Sequence, residues 1–400
     1  MARLGVVIVG VGGAVASTVV AGVELMKRNI VPRRGMITES SPGMPPGPLA
    51  NQLDVAPLDE LVFGGWDINP QSLYAGALQH NVLPTHQVAL AREALEQIVP
   101  WPGIFKNEYS TNLRGDHVVK SANFRDQIKC VISDIEAFKA KHRLDRVVMV
   151  NLASTESWIA ETGVHKNLAT FEAGLDANDP AISPSARYFY AANRAHAAYV
   201  NFSPGPTSPA LTEHAEQTGN PFAGSDGKTG QTLVKTVLGA MFRVRQLKIL
   251  GWYSINFLGN NDGLCLDAPG SNKTKVLSKS TALDAVVGYP VENHQVHIHY
   301  YKPRGDAKEA WDNIDVEGFA GIPMQMKVNF LCQDSVLAAP LVVDLVRLLD
   351  VCSRAGGRGN QRQFSLFFKS PYAAPGETPV HDLFDQEKLL LDWAAKVRSR

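Results

Sequence analysis

The stretch Leu258–Ser280, LGNNDGLCLDAPGSNKTKVLSKS, is the most informative part of the chain. Asn260, Asn261 and Asp262 precede a glycine, and Lys273, Lys275 and Lys279 follow close together. On a helix Lys275 and Lys279 share one face at spacing i, i+4. Like charges there are mildly destabilising, so the pair points to an anion between them. Just upstream, Gly224–Thr232 reads GSDGKTGQT and carries another lysine. Two polar, glycine-rich, lysine-bearing segments in an otherwise apolar chain imply an anionic ligand and chemistry upon it.

Two further lysines stand out. Lys308 follows Asp306, which is placed to hold it, and Lys369 ends the apolar run FSLFFK before Ser370 and Pro371. A lysine taken at random is a solvated surface residue. The context of these four sets them apart. Lysine binds phosphate as a point charge, and burial or nearby cations can lower its pKa enough to move protons. The carboxylates to watch are Asp226, Asp262, Asp306 and Asp334. Asp334, followed by Ser335 at the opening of an apolar helix, is equally well placed to be an N-cap. His297 and His299 could share one strand face as metal ligands. With no carboxylate or cysteine at ligand spacing, a metal site there is not expected. GKTGQT lacks the order of a P-loop, and there is no serine nucleophile elbow.

The elements that must position these residues begin at the N-terminus. Leu4–Val9 reads as a buried strand, then come Gly10, Gly12 and Gly13, then an apolar helix to about Met26. Strand, glycine turn and helix open a dinucleotide-binding unit. The glycines let backbone approach a pyrophosphate, and the helix N-terminus offers free N–H groups. The acidic residue expected on the ribose is Glu39, after a possible strand Met36–Thr38, or Asp67 in Gly64–Ile68. Arg33 and Arg34 leave a 2′-phosphate conceivable, and a turn aspartate is the plain alternative for Asp67. Ser40–Pro48 is a loop. Phe124–His142 is an amphipathic helix with Ile128, Val131, Ile132, Ile135 and Phe138 on one face. The strand Arg146–Asn151 runs into Ala153, Ser154, Thr155 and Glu156, where α/β sheets bind ligands, though a helix cap would look the same. Ala198–Val200, Leu247–Asn256, Gln295–Tyr301 and Phe364–Lys369 read as strands, and Asp334–Asp350 as a buried helix.

Composition narrows the function classes. Four hundred residues allow two or more domains. Lys+Arg and Asp+Glu are both 39, which argues against a nucleic-acid binder. Cys130, Cys265, Cys332 and Cys352 are scattered, as in a reducing cytoplasm. Leu4–Val23 is uncharged, and Ala14-Val15-Ala16 within it imitates a signal-peptidase site. Its glycines and its single preceding arginine argue against secretion or membrane insertion.

Taken together, these segments resemble the myo-inositol-phosphate synthase family, most of all its bacterial branch. The resemblance covers nearly the whole chain. It runs through LGVVIVGVGGAVAST (4–18), FGGWDIN (63–69), ASTE (153–156), SPGPTSPAL (203–211), GSDGKTGQT (224–232), LGNNDG (258–263) and KTKVLSKS (273–280). GDAKEAWDNID (305–315), DSVLAAPLVVDL (334–345) and FFKSP (367–371) complete it. The resemblance implies an α/β fold. A Rossmann-type NAD domain would be built from residues 1–232 and 335–400, with an inserted α+β catalytic and tetramerisation domain at 233–334. It implies conversion of glucose 6-phosphate to 1L-myo-inositol 1-phosphate by a cytoplasmic homotetramer, with neither nucleic acid nor membrane as partner. Divalent metal or monovalent cation use varies within the family. The implied catalytic residues are Lys275, Lys279, Lys308, Lys369, Asp306 and Asp334, the two aspartates orienting the lysines and the nicotinamide end. The implied cofactor contacts are Gly10, Gly12, Gly13, Ala14, Val15, Asp67, Ala153, Ser154, Thr155 and Ser203. Asp226, Thr229, Asn260, Asn261, Asp262 and Ser335 continue that set.

The chain departs from the family pattern at the cofactor end. The family's G-D-D-x-K becomes Gly224–Lys228, losing a carboxylate and, at Gly227, a bulky residue. An asparagine-rich first turn is replaced by Ala14-Val15-Ala16, and S-P-Q-N-T by residues 203–207. A related cyclase or oxidoreductase on another phosphosugar, or a non-catalytic NAD-binding sensor, are the competing readings.

Overall fold

The computed structural model describes residues 3–399 apart from 206 and 375, and the side chains of 276–282 lie outside that description. The chain opens with β1 (Leu4–Val9), α1 (Ala14–Lys27), β2 (Leu61–Asp67), α2 (Leu73–His80), α3 (Thr85–Leu90), α4 (Arg92–Glu96) and β3 (Trp101–Pro102). Then follow α5 (Phe124–His142), β4 (Arg146–Asn151), α6 (Leu168–Ala177), α7 (Pro184–Arg194), β5 (Ala198–Asn201), α8 (Pro209–Thr218) and β6 (Pro221–Gly224). The next segment holds α9 (Gly230–Val244), β7 (Lys248–Leu258), α10 (Asn261–Leu266), α11 (Pro269–Val287), β8 (Asn293–Tyr300), β9 (Ala307–Glu317) and β10 (Pro323–Gln333). α12 (Asp334–Arg354), β11 (Gly359–Asn360) and α13 (Leu383–Arg398) close the chain.

The first sheet is parallel, in the order β11-β6-β5-β4-β1-β2-β3. Chain direction across it reverses between β1 and β4, the switch point where open α/β sheets bind ligands. β1 is apolar on both faces because it is covered on both. Leu4, Val6 and Ile8 join a core with α1 and α12, while Val7 and Val9 join a core with α5 and α7. α5 is set by its caps: the Asn123 side chain accepts from Asp126 N–H, and Arg143 ends the helix in the left-handed region.

The second sheet, β10-β9-β7-β8, is antiparallel except for the parallel pair β7–β8. Trp252, Ile249 and Ile314 pack its inner face on Phe242 of α9 and Leu283 of α11. α12 then returns to the first sheet, where Val342, Leu345 and Leu349 share a core with β1, β4 and β5. The expected α/β architecture with a second sheet is borne out.

Two expected strands are absent. Met36–Thr38 forms turns because its backbone is claimed from outside: Asp344 of α12 accepts the Ile37 and Thr38 N–H groups at 2.8 and 3.3 Å. Phe364–Lys369 is not a strand either. Arg362–Phe367 is a 3-10 turn, and only Phe368 bridges, antiparallel, to Gly227. Its apolar residues are buried under α13, as the Phe364–Trp393 ring contact shows, and that burial mimics a strand in sequence. No described helix is long and apolar enough to cross a membrane.

Candidate active site

A cavity of about 560 Å³ runs along the C-terminal edge of the first sheet and on to α10–α12. At its near end lies the glycine turn between β1 and α1. Helical geometry leaves the amides of Ala14, Val15 and Ala16 without intrahelical acceptors, and these residues line the cavity. Gly12 donates its N–H to Asp67 Oδ2 at 2.9 Å, and Asn69 N–H reaches Oδ1 at 3.0 Å. A Cβ on Gly12 would stand 3.0 Å from that carboxylate, so any larger residue would push Asp67 aside by a few tenths of an ångström. Burial pushes the Asp67 carboxyl up, while the Asn69, Gly12 and Ile68 amides pull it the other way. This cradle fits a dinucleotide: open amides for a pyrophosphate, and an acceptor at the end of β2 for a ribose hydroxyl. Glu39, the other ribose candidate, is engaged elsewhere, with Arg33 and Arg347.

At the far end, five chain segments bring cations and carboxylates together. Asp226 Oδ1 accepts from Lys275 Nζ at 3.0 Å and from Lys369 Nζ at 2.9 Å. Asp226 has φ of +60°, a left-handed conformation that aspartate tolerates. Its N–H donates to Ser203 O at 3.1 Å, and its carbonyl accepts from Lys369 N–H at 2.6 Å. These bonds stitch the Asp226 turn to the β5 loop on one side and to the Lys369 segment on the other. Asp334, the first residue of α12, accepts Thr229 Oγ1 at 2.9 Å and Lys308 Nζ at 3.3 Å.

The charges set one another's proton affinity. Burial acts to lower Lys275, but Asp226 and Asp262 outweigh it, and its pKa is raised. Burial takes Lys369 down to about 8; Asp226 opposes this, and Lys275 and Lys308 add to it. Burial favours neutral Asp334, yet Lys308, Lys369 and Thr229 hold it at about 2. A firmly cationic lysine, a lysine near its titration point and a permanent carboxylate therefore meet at one cavity wall. That arrangement can stabilise developing negative charge and exchange protons.

The cavity is lined by Gly10, Gly12, Gly13, Ala14, Val15, Asp67, Ala153, Ser154, Thr155 and Ser203 from the first sheet. Asp226, Thr229, Asn260, Asn261, Asp262 and Ser335 also line it, with Lys275, Asp334 and Lys369. Lys308 is buried just behind Asp334. The Lys279 side chain lies outside the described residues. Two sequence expectations are corrected. Asp306 does not hold Lys308: its oxygens accept Ser335 Oγ at 2.7 Å, Ser335 N–H at 3.0 Å and Asn260 Nδ2 at 3.1 Å. It caps α12 from the start of β9, and burial pushes its carboxyl up. Asp334 is not the N-cap of α12, since that place belongs to Gln333. Glu156 is a helix-end partner, accepting Ser185 N–H and Oγ at the start of α7. His297 and His299 stack at 6.3 Å on β8, and no group of three or more His, Cys, Asp or Glu among the described residues could hold a metal. Sequence reasoning missed His80, whose Nε2 lies 3.0 Å from Gly12 O, and the cavity-lining Tyr188 and Phe202. Only Phe202 had a local signal, its place beside Ser203.

An NAD-binding family model described as myo-inositol-1-phosphate synthase matches residues 4–395. The inositol-3-phosphate synthase 1 of Bacteroides thetaiotaomicron is 42% identical, over 97% of this chain and 94% of that protein. A probable inositol 3-phosphate synthase isozyme 3 of Arabidopsis thaliana is 32% identical, over 98% and 84%. The crystal structure of inositol-3-phosphate synthase from Caenorhabditis elegans superposes with a TM-score of 0.92 at 25% identity, over 99% of this chain and 86% of that one. Motifs, cavity and relatives agree, and the chain belongs to the myo-inositol-1-phosphate synthase family.

Proposed function

We propose that this chain converts glucose 6-phosphate to 1L-myo-inositol 1-phosphate, using NAD without net redox change. The observation that carries the reading is the meeting of Lys275, Lys369 and Lys308, through Asp226 and Asp334, at a cavity that begins at a dinucleotide cradle. NAD held at the glycine cradle would supply the hydride acceptor for oxidation at sugar C5 and the hydride for the closing reduction. The protein's part is to remove a proton from C6, steady the enolate while it attacks C1, and reprotonate the product oxygens. Lys308 and Lys275 serve proton and oxyanion work around C5, and Lys279 and Lys369 serve C1 and the phosphate. Asp226 holds the ammonium groups of Lys275 and Lys369, and Asp334 that of Lys308, so the transition-state charge meets charges already in place. Cyclisation needs a folded-up substrate, and a cavity walled on several sides favours that conformer.

The division into a nucleotide domain (1–232 and 335–400) and a catalytic domain (233–334) belongs to the same reading. So does a homotetramer. Tyr253, Trp311 and Leu331 are exposed on the outer face of the second sheet, and Phe319 tops its hairpin 97% exposed, which supports self-association there. Unpaired cysteines support a cytoplasmic location. Purified protein given NAD+ and glucose 6-phosphate should form inositol phosphate, followed by phosphorus NMR, without NADH accumulating. Steady NADH build-up would replace this reading with a dehydrogenase, and no turnover on several hexose phosphates would replace it with a sensor. Light scattering of the purified chain tests the tetramer.

A further inference from the structure

The cavity has an aromatic wall that the reaction chemistry does not call for. Phe202 follows β5, lines the cavity and is 9% exposed. Gly227 lies against it: Gly227 N–H donates to Phe202 O at 3.0 Å, and the next pair, Asp226 N–H to Ser203 O, continues the register. A Cβ built on Gly227 would overlap the far edge of the Phe202 ring, at Cζ and both Cε atoms. The ring therefore occupies the space that a side chain at 227 would fill. Where the family pattern carries a bulky residue in G-D-D-x-K, this chain has none and supplies the bulk from the neighbouring segment.

The position of that ring says what it meets. In a parallel sheet of this topology the pyrophosphate sits at the β1–α1 turn, and the ribose acceptor at the end of β2 marks the adenosine side. The nicotinamide half must then extend the other way, over the C-terminal ends of β4 and β5. Phe202 is at the end of β5, one residue before Ser203 and alongside Asp226, which carries Lys275 and Lys369. We infer that Phe202, seated on Gly227, is the apolar wall that positions the nicotinamide ring against the lysine cluster, and so sets which face the sugar meets. A flat hydrophobic surface suits an aromatic heterocycle, and it also shields the reacting carbon from water. The inference rests on the cavity taking the dinucleotide, not on the sugar chemistry, so a failed product assay leaves it standing.

Binding separates this role from mere core packing. Phe202→Ala should weaken NAD+ by about tenfold, the scale of one aromatic contact, while ADP-ribose, which lacks the nicotinamide, stays within about twofold. Gly227→Ala, which adds only a methyl group, should do the same, because the methyl displaces the ring. The double variant should bind NAD+ no worse than Phe202→Ala alone, since both changes act on one ring. Calorimetric titration of purified chains reads all of these, with thermal melts confirming folded protein. If Phe202→Ala fails to fold, Phe202→Leu keeps apolar volume without a flat face and should show the same split between ligands. Equal loss of NAD+ and ADP-ribose, no loss of either, or strictly additive effects in the double variant would overturn the assignment. A wild-type chain that binds neither ligand would overturn both this inference and the cofactor reading.

Discussion

Two of the buried acid clusters among the described residues make an instructive pair. In the first, Asp344 of α12 accepts Ile37 N–H, Thr38 N–H and Thr38 Oγ1, the last at 2.5 Å. Arg347 completes it, donating to Thr38 Oγ1 at 2.9 Å and to Ala56 O at 2.7 Å, and pairing with Glu39 at 2.7 Å. Asp344 is fully buried, and this cluster lines no part of the large cavity. In the second, Asp226 takes two ammonium groups on one oxygen and opens on that cavity. Burial lifts Asp344 to about 6 and lowers Lys369 to about 8, so both clusters hold perturbed groups. Perturbation alone does not mark chemistry. What separates them is access, together with cations packed close enough to repel one another.

The difference can be broken by substitution. Lys308→Ala should have the largest effect, a loss of about 10³-fold in kcat, the scale of removing a preorganised charge. NAD+ affinity should stay nearly unchanged, because Lys308 sits behind Asp334 and does not line the cradle. Steady-state kinetics beside an NAD+ titration checks this, and equal loss of both would undo the role. Asp226→Asn comes next: it leaves Lys275 and Lys369 without their shared counter-charge, and turnover should fall by about 10²-fold. Asp344→Ala should behave in the opposite way. It strands two amides and a hydroxyl and should cost about 3 kcal/mol of stability, read from urea midpoints, with turnover per folded molecule unchanged. If Asp344→Ala instead slowed the chemistry as much as Asp226→Asn, the division between structural and reactive clusters would fail.

The same contrast explains what the sequence revealed. Phe124–His142 and Arg146–Asn151 were legible to the residue, the first from its apolar periodicity and the second from its apolar run. The lysines were legible as types in odd places, and the family motifs tied them together. Their partners were not. Asp306 precedes Lys308 by two residues, yet that nearness does not pair them: just before β9, Asp306 turns to Ser335, while Lys308 reaches Asp334 where the neighbouring strand β10 ends. Met36–Thr38 looked like a strand because nothing local announces that Asp344, about three hundred residues away, takes its amides. Phe202 carried no signal as a phenylalanine. Its meaning comes from the missing side chain at Gly227, and a pair that complements in volume is visible only once the two segments lie side by side.

The smallest expected effect tests how the lysines divide their work. Lys369 has its pKa lowered from 10.5 to about 8, first by burial, against Asp226, and further by Lys275 and Lys308. If it binds the substrate phosphate as a cation, kcat/KM should fall as pH rises above about 8, by about tenfold per pH unit, because the free enzyme loses the charge. Lys369→Arg, which stays charged, should flatten that limb of the profile. A kcat/KM that rises through pH 8 would mean that the neutral amine is the active form, and would move Lys369 from the phosphate to proton transfer. Folding gives an independent reading of the same group. Below about pH 8 the folded and unfolded chains both carry this proton, and the cost of burying the charge is constant. Between about 8 and 10.5 the unfolded chain binds more protons, so this lysine's contribution makes the fold more stable as pH rises. Asp344 acts in another window: with its pKa raised to about 6, the unfolded chain ionises first and stability falls as pH rises from about 4 to 6. Lys369→Met should remove this lysine's share of the alkaline slope, to which buried Lys228 and Lys235 also contribute, and leave the acid slope unchanged. Asp344→Ala should lessen the acid slope, shared with Asp67, Asp134 and Asp306, and leave the alkaline one unchanged. Urea midpoints across pH would show whether the two clusters titrate as separate units.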